Sequence, residues 1–466
     1  MRVYGCQMNV YDSDRVRTAL MRRGWKEVSE DEADVVVFTG CSVRGKAEQK
    51  VWSELGRYAP NWNKSRRPFV ALTGCIAQSL GKKALSRYPW IRLISGPRHI
   101  GLLPEALERI VENGNVEHRN SCTIVNSPSA LERIVKGGKA VLLDEDPREF
   151  HDLDEFSEVR ENKYRAYVTI AHGCDNFCTY CIVPYVRGRF LSRPSADVLR
   201  EVQALLASGA KEITLLGQNV NSYGNDFHDG YGFADLLREV ARAGVERVRF
   251  VTSLPQDFTE KIVDVMANEP NVCPSLNLPI QAGSDKILKL MNRKYTRADY
   301  MEKVRMTRSR LTELGLTSDL IVGFPGETEK DFEDSMSALS EIKFDLVHTA
   351  AYSEREGTPA ATMPGALPQE VRMERLNRIN ALQDEITHSI NRGLIGRKAS
   401  VLIDGAAPKG EAPDGKPLLQ GRTMTDKIVL LAPFTGTGGD EGLLGRTVTA
   451  EITEAGSWYL KGIIID

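Results

Sequence analysis

No apolar run in the sequence approaches the roughly 20 residues that span a bilayer. The opening stretch, MRVYGCQMNVYDSD, lacks the apolar segment of a secretory signal. Net charge is also scarce: 61 Lys and Arg stand against 63 Asp and Glu, a balance of −2 at pH 7. The first two absences lead to the expectation of a cytoplasmic chain off the membrane, where thiols stay reduced. The third excludes a nucleic-acid binder driven by bulk charge, while local basic patches stay open. Cysteines are few, 8 in 466 residues. In a reducing compartment they are better explained by metal, catalysis or burial than by disulfides.

What is present reads as an α/β protein of two to four domains. The runs MRVYGC (1–6), ADVVVFTGC (33–41) and PFVALTGC (68–75) have the character of strands. Between them lie helical patterns. Asp12 or Ser13 caps the first, which carries Val16, Ala19 and Leu20 and stops at Gly24. The second runs through Lys46–Tyr58. Alternating strands and helices predict an open parallel sheet over residues 1–143. Cys6, Cys41 and Cys75 each follow a glycine at a strand's C-terminal end, the edge where such sheets bind ligands. The glycines would let the backbone approach a bulky ligand. Burial of three small hydrophobes is the plain alternative.

Residues 144–161 hold nine acids against two arginines and read as a solvated linker. From 162 to 395, six strand-like runs recur: 164–171, 212–217, 247–253, 275–281, 318–324 and 345–353. Pro194 and Ser195 open a helix that Gly209 closes. Six βα units predict a partial (βα)6 barrel with its active face at the strand C-termini. A helix around 369–395 follows. Residues 396–466 alternate and turn at glycines, as in a small antiparallel β barrel.

The sharpest feature is HGCDNFCTYC, residues 172–181, which sets Cys174, Cys178 and Cys181 on one loop. It lies just after the first strand of the six. A closed structural metal site wants four ligands. In a four-iron cluster, cysteine thiolates bind one iron each. Three cysteines therefore leave one iron open to a substrate. A zinc site would need His172 as its fourth ligand.

Cys174-x3-Cys178-x2-Cys181, with Tyr180 before the last cysteine, resembles the radical S-adenosylmethionine (SAM) signature. Together with YGCQMNVYDS, TGCSVRGKAE, TGCIAQ, VPYVRGR, LLGQNVNSYG, LPIQAGSD and DLIVGFPGETEKDF, it is similar to the radical SAM methylthiotransferase family. The likeness runs from residue 4 to about 332. The terminal β region resembles that family's TRAM module. TGCSVR departs slightly from the family pattern but keeps its cysteine.

The resemblance implies two 4Fe-4S clusters, with Cys174, Cys178 and Cys181 holding one and Cys6, Cys41 and Cys75 the other. It also implies SAM as cofactor, consumed twice: once to methylate sulfur, once to make the radical that takes hydrogen from C2 of an adenine. By the same resemblance Tyr180 lies near the SAM adenine and Gln218, Asn219 and Asn221 near its amino-acid part, with Ser253, Gln281 and Asp319 similarly placed. YGCQMN and LGQNVNSYG favour the branch acting on N6-isopentenyladenosine next to the anticodon of tRNA. Other branches act on threonylcarbamoyl-adenosine in tRNA or on a ribosomal protein aspartate. A zinc-bearing RNA-binding protein without radical chemistry is the reading of another class. The expected partners are the tRNA anticodon loop and a low-potential electron donor such as flavodoxin or ferredoxin. Candidate RNA contacts are Arg187, Arg189 and Arg193, then Arg15, Arg22, Arg23, Arg66 and Arg67. Cys122 and Cys273 are expected as structural thiols.

Overall fold

The computed structural model describes residues 1–42, 45–60, 68–111, 122–124, 138–143, 150–411, 417–432 and 442–466. They form two compact units. One comprises Met1–Glu161, Ala171–Phe177 and Cys181–Arg193; the other comprises Asn162–Ile170, Cys178–Tyr180 and Pro194–Asp466. The cysteine loop is thus divided, with Cys174 and Cys181 in the first unit and Cys178 in the second.

The first unit is built on a six-stranded sheet. Its order is Arg2–Tyr4, Val35–Gly40, Phe69–Thr73, Ile91–Ser95, Lys139–Leu142 and Cys122–Ile124, every neighbouring pair parallel. Both faces are covered, which is why the strands read as nearly continuous apolar runs. Val37, Ala71, Leu93 and Ala140 face one core with Val16, Ala19 and Leu20 of the helix Gln7–Arg22. Phe38, Val70, Leu72, Ile94 and Val141 face the other with Val51 and Leu55. The three strands expected from sequence are present. Ile91–Ser95 was not foreseen, because Arg92 interrupts its apolar run, although that side chain is buried.

The first helix starts earlier than expected. Cys6 is its N-cap, and the Cys6 carbonyl accepts the N–H groups of Asn9 and Val10 at 2.9 and 3.2 Å. Asp12 and Ser13 lie inside the helix and are buried, so neither is a cap. Ser13 donates to Thr39 Oγ1 at 2.8 Å. Gly24, at φ 85°, follows the helix end as expected.

The expected linker differs as well. Its first part, 144–149, lies outside the described residues. The rest is bound to the first unit. Arg15, almost wholly buried, pairs with Asp152 at 2.7 Å and donates to the Glu155 carbonyl at 2.8 Å. The Val159 N–H donates to Thr18 Oγ1 at 3.1 Å. The acidic run is drawn down by a buried cation that composition does not reveal.

In the second unit all six expected strands occur, as two parallel three-stranded sheets. One is ordered Arg247–Phe250, Glu212–Leu216, Arg165–Thr169; the other is ordered Ser275–Asn277, Gly315–Val322, Leu346–Ala351. A single parallel bridge, Val248 to Val272, extends the first sheet. Helices Ser195–Ala207, Phe233–Arg242, Glu260–Asn268, Arg297–Arg310 and Glu329–Ile342 separate the strands.

The helix Gln369–Arg392 leads into a closed barrel of five strands, Lys398–Glu411, Pro417–Thr423, Ile428–Leu431, Thr447–Ala455 and Leu460–Ile464. Four neighbouring pairs are antiparallel, but Ile428–Leu431 and Leu460–Ile464 run parallel. The expectation of an all-antiparallel barrel is corrected here. An odd number of strands cannot alternate direction around a closed ring, so one pair must agree.

The starts of the central strands are tied to this barrel. Arg165 pairs with Asp404 at 2.8 Å, and Arg249 donates to the Thr423 and Met424 carbonyls at 2.6 and 2.9 Å. Glu212, fully buried, takes Arg165 and Arg249 on its two oxygens at 3.0 and 2.8 Å. The barrel therefore joins the same compact unit instead of standing apart at residue 396. Glu212→Gln removes the charge that balances two desolvated guanidiniums. It should destabilise the protein by about 3 kcal/mol, the scale of breaking a buried ion pair. The check is the unfolding midpoint in denaturant; an unchanged midpoint would mean the network is neutral.

Candidate functional site

In the first unit, parallel order brings the C-terminal ends of the first three strands to one edge, and the three cysteines with them. Cys6 opens the helix Gln7–Arg22, Cys41 follows Gly40, and Cys75 opens the short helix Cys75–Leu80. Cys41 and Cys75 are buried, and Cys6 is half-buried. A hydrogen bond with Cys41 holds the Cys6 thiol well below its usual range against burial, with Arg187 and two helix N–H groups adding. Burial pushes the Cys75 thiol up, against the pull of Arg187.

The glycines do something other than expected. A Cβ on Gly5 would lie 2.1 Å from Asn9 Nδ2, and one on Gly74 would lie 2.9 Å from the Gly40 carbonyl oxygen. Gly74 also sits at φ 83°, in the left-handed region. They make room for neighbouring protein atoms, which is how three strand ends come close.

Arg187 is the first of three expected RNA contacts that are instead buried. It is buried, and its Nε donates to Cys75 Sγ at 3.1 Å. Its Nη2 donates to Asp12 at 3.0 Å and to Asn9 Oδ1 at 3.2 Å. Burial alone would weaken this cation, but Cys75, Asp12 and Cys6 hold its proton more tightly than usual. It is closed to RNA. The signal was present in its flanks: Ile182 and Val186 pack with Cys75, so one face of the short helix Val183–Val186 is buried. Arg193 is likewise buried, donating to the Tyr11 hydroxyl at 3.2 Å. Arg15 is committed to Asp152. Arg22 and Arg23 are surface partners of Glu158 and Glu108. Arg66 and Arg67 lie outside the described residues.

Arg189 is exposed, as an RNA contact requires. It pairs with Asp175 at 2.9 Å and lies over the Phe177 ring at 5.2 Å. Phe177 meets exposed Tyr185 edge-on at 6.2 Å. Phe177 holds φ at 45°, a strained conformation for an aromatic residue.

Cys174 and Cys181, in the first unit, are half-buried. Asn176 Nδ2 lies 3.3 Å from Cys174 Sγ, and the Cys174 N–H donates to the Gly188 carbonyl at 3.2 Å. The His172 ring lies tilted at 45° against Phe150, 4.4 Å between centroids, and burial lowers its pKa to about 3. In the second unit, Arg293 lies 3.6 Å from Cys178 Sγ and 6.0 Å from the Tyr180 ring. Tyr180 is half-buried and meets Phe324 edge-on at 6.5 Å.

The remaining candidates lie at strand ends of the second unit. Asn219 Nδ2 donates to Asp257 at 2.5 Å and to Ser222 at 2.6 Å, so that amide group is already used. Gln218 is half-buried. Ser253 Oγ and Asn221 Nδ2 are buried without a hydrogen-bond partner. Asp319 accepts from Asn277 at 3.3 Å, and its carbonyl accepts the Gln281 N–H at 2.8 Å. Thr252 and Gln281 hold left-handed φ values of 67° and 68°. Strained backbone and buried orphan polar atoms together suit a polar ligand at these strand ends.

Cys273 is buried and its thiol pushed up to about 12, as a structural cysteine should be. Cys122 lies in its strand. Among the described residues, no three His, Cys, Asp or Glu side chains converge as they would on a single metal ion. A four-iron cluster asks for less convergence, since each thiolate binds its own iron.

Known proteins match this chain along nearly its whole length. Residues 168–339 match the Radical SAM superfamily, and residues 1–96 match the Uncharacterized protein family UPF0004. A tRNA-2-methylthio-N(6)-dimethylallyladenosine synthase of Moorella thermoacetica is 42% identical, covering 99% of this chain and 97% of its own. A synthase of the same name from Nitratidesulfovibrio vulgaris is 42% identical over 93% of this chain and 91% of its own. Another from Geobacillus kaustophilus is 38% identical over 100% of this chain and 82% of its own. No described helix is long and apolar enough to cross a membrane.

Proposed function

The chain belongs to the tRNA-2-methylthio-N(6)-dimethylallyladenosine synthase family, and from that premise we propose how its residues divide the work. It is a radical SAM enzyme that transfers a sulfur-containing group to tRNA. Its cofactors are SAM and two 4Fe-4S clusters. Cys174, Cys178 and Cys181 hold the SAM-binding cluster, and Cys6, Cys41 and Cys75 hold the auxiliary one. The observation that carries this division is the meeting of Cys6, Cys41 and Cys75 at adjacent strand ends, with a hydrogen bond from Cys41 to the Cys6 sulfur and a buried cation at Cys75.

When bound, these groups supply the radical and the sulfur chemistry that side chains lack. The protein's own task is positional. Three thiolates on each cluster leave one iron for an outside ligand. Ser253, Asn221 and the strained turns at Thr252 and Gln281 receive the polar parts of SAM. Tyr180, held between Arg293 and Phe324, flanks its adenine. The partial barrel expected from sequence is the reading we retain for the two three-stranded sheets, and TRAM-like is our reading of the terminal barrel. The target base is N6-isopentenyladenosine next to the anticodon, splayed from its loop. A flavodoxin- or ferredoxin-type donor supplies electrons, and the enzyme works in the cytoplasm.

Phe177, Tyr185 and Arg189 form the stacking surface for RNA bases beside the cysteine loop, the chemistry used for single strands. Tyr185→Ala should weaken tRNA binding by about 1–3 kcal/mol, the value of one base stack. Arg189→Ala should reduce the salt dependence of binding by about one phosphate contact. Filter binding at several salt concentrations checks both; unchanged affinity in both variants would move the RNA site elsewhere.

The test of the whole reading is iron and sulfide analysis of protein purified without oxygen, followed by mass spectrometry of tRNA nucleosides from a deletion strain. Two four-iron clusters and loss of the methylthio nucleoside are expected. A colourless protein with stoichiometric zinc would remove the enzymatic reading.

A further inference from the structure

Arg187 and Asn9 stand against the N-terminal cysteines, Arg187 donating to Cys75 and Asn9 carrying a buried donor without a hydrogen-bond partner. A guanidinium has five N–H groups, and desolvating it is costly. Arg187 spends its Nε–H on Cys75 Sγ and its Nη2 on Asp12 and Asn9 Oδ1. That bond fixes which way the Asn9 amide faces. Its Nδ2 is fully buried and has no hydrogen-bond partner. The same atom occupies the space that a Gly5 side chain would take, and that space also touches Cys41 Cβ. A buried amide donor without an acceptor costs stability unless a ligand satisfies it. It therefore marks where an acceptor belongs.

Resting on the reading of Cys6, Cys41 and Cys75 as cluster ligands, we infer that Arg187 and Asn9 are positioning residues that supply N–H groups to the sulfurs of that cluster and so raise its reduction potential. Reduction adds negative charge to the sulfurs. Donors and a buried cation beside them favour the reduced form, and such outer contacts are a known lever on iron–sulfur potentials. Cys75 is the anchoring point, since Arg187 reaches its sulfur directly. Asn9 adds a neutral donor of smaller effect. Sequence spacing hides this arrangement: 112 residues separate Cys75 from Arg187.

The test is a redox titration, followed by electron paramagnetic resonance, of the full chain carrying Cys174→Ala, Cys178→Ala and Cys181→Ala. That background isolates the N-terminal cluster. If it binds no iron, the cluster assignment itself fails and the inference falls with it. If it binds iron, Arg187→Met should lower the midpoint potential. At a fixed potential the oxidised-to-reduced ratio should rise about tenfold, equivalent to about 59 mV for a one-electron couple. Arg187→Lys keeps the buried charge and should give a smaller fall in the same direction; it carries the test if the Met variant does not fold. Asn9→Ala should also lower the potential, by less than Arg187→Met. Iron-loaded Arg187→Lys and Asn9→Ala proteins with unmoved potentials would overturn the inference.

Discussion

Cys75→Ala should leave SAM cleavage running and stop methylthio insertion. Cys75 sits in the first unit, at the start of a helix packed on the third strand, and its thiol touches Arg187. Removing it takes one of three ligands from the proposed auxiliary cluster. No residue of the 174–181 loop is altered. 5′-Deoxyadenosine should therefore still accumulate, while methylthiolated nucleoside falls below detection. Arg187 would keep Asp12 and Asn9 as partners, so the fold should survive with a modest loss of stability. Liquid chromatography with mass spectrometry on one reaction reads both products. Methylthiolated tRNA at normal yield would remove Cys75 from the sulfur-inserting site.

Cys174→Ala should abolish both products. A four-iron cluster held by three thiolates has no spare ligand, and losing one exposes a second iron. SAM would then lose its defined chelation, and without radical formation no later step can begin. The alanine fits the fold, because the backbone of Cys174 is held by its N–H to the Gly188 carbonyl. The expected fall in 5′-deoxyadenosine is to the uncatalysed level, with auxiliary-cluster iron retained. Turnover within tenfold of the parent would show that Cys174 is not a ligand. Together the two variants separate the cysteine sets: one loses sulfur transfer alone, the other loses everything.

Much of this was legible because the relevant signals are local. Gly-Cys after each of three apolar runs marks the strand ends, and the cysteine loop announces itself within ten residues. The six central strands carry enough apolar character to be found one by one. Arg92 concealed a fully buried strand, and Cys6 concealed a helix start. The basic residues misled most. Arg187, Arg193 and Arg15 look like surface cations in a linear reading. Each is buried against a partner from elsewhere in the chain: Asp12 and Cys75, Tyr11, and Asp152.

The amino-acid order by itself determined the alternation of strands and helices, the two cysteine trios and the family to which they point, because periodicity and short spacing are properties of contiguous residues. Tertiary structure alone decided which charges are buried, which donors face the cysteines, and how an odd-stranded barrel closes. Burial and pairing depend on groups that sequence distance separates and packing brings together, and no local pattern records them.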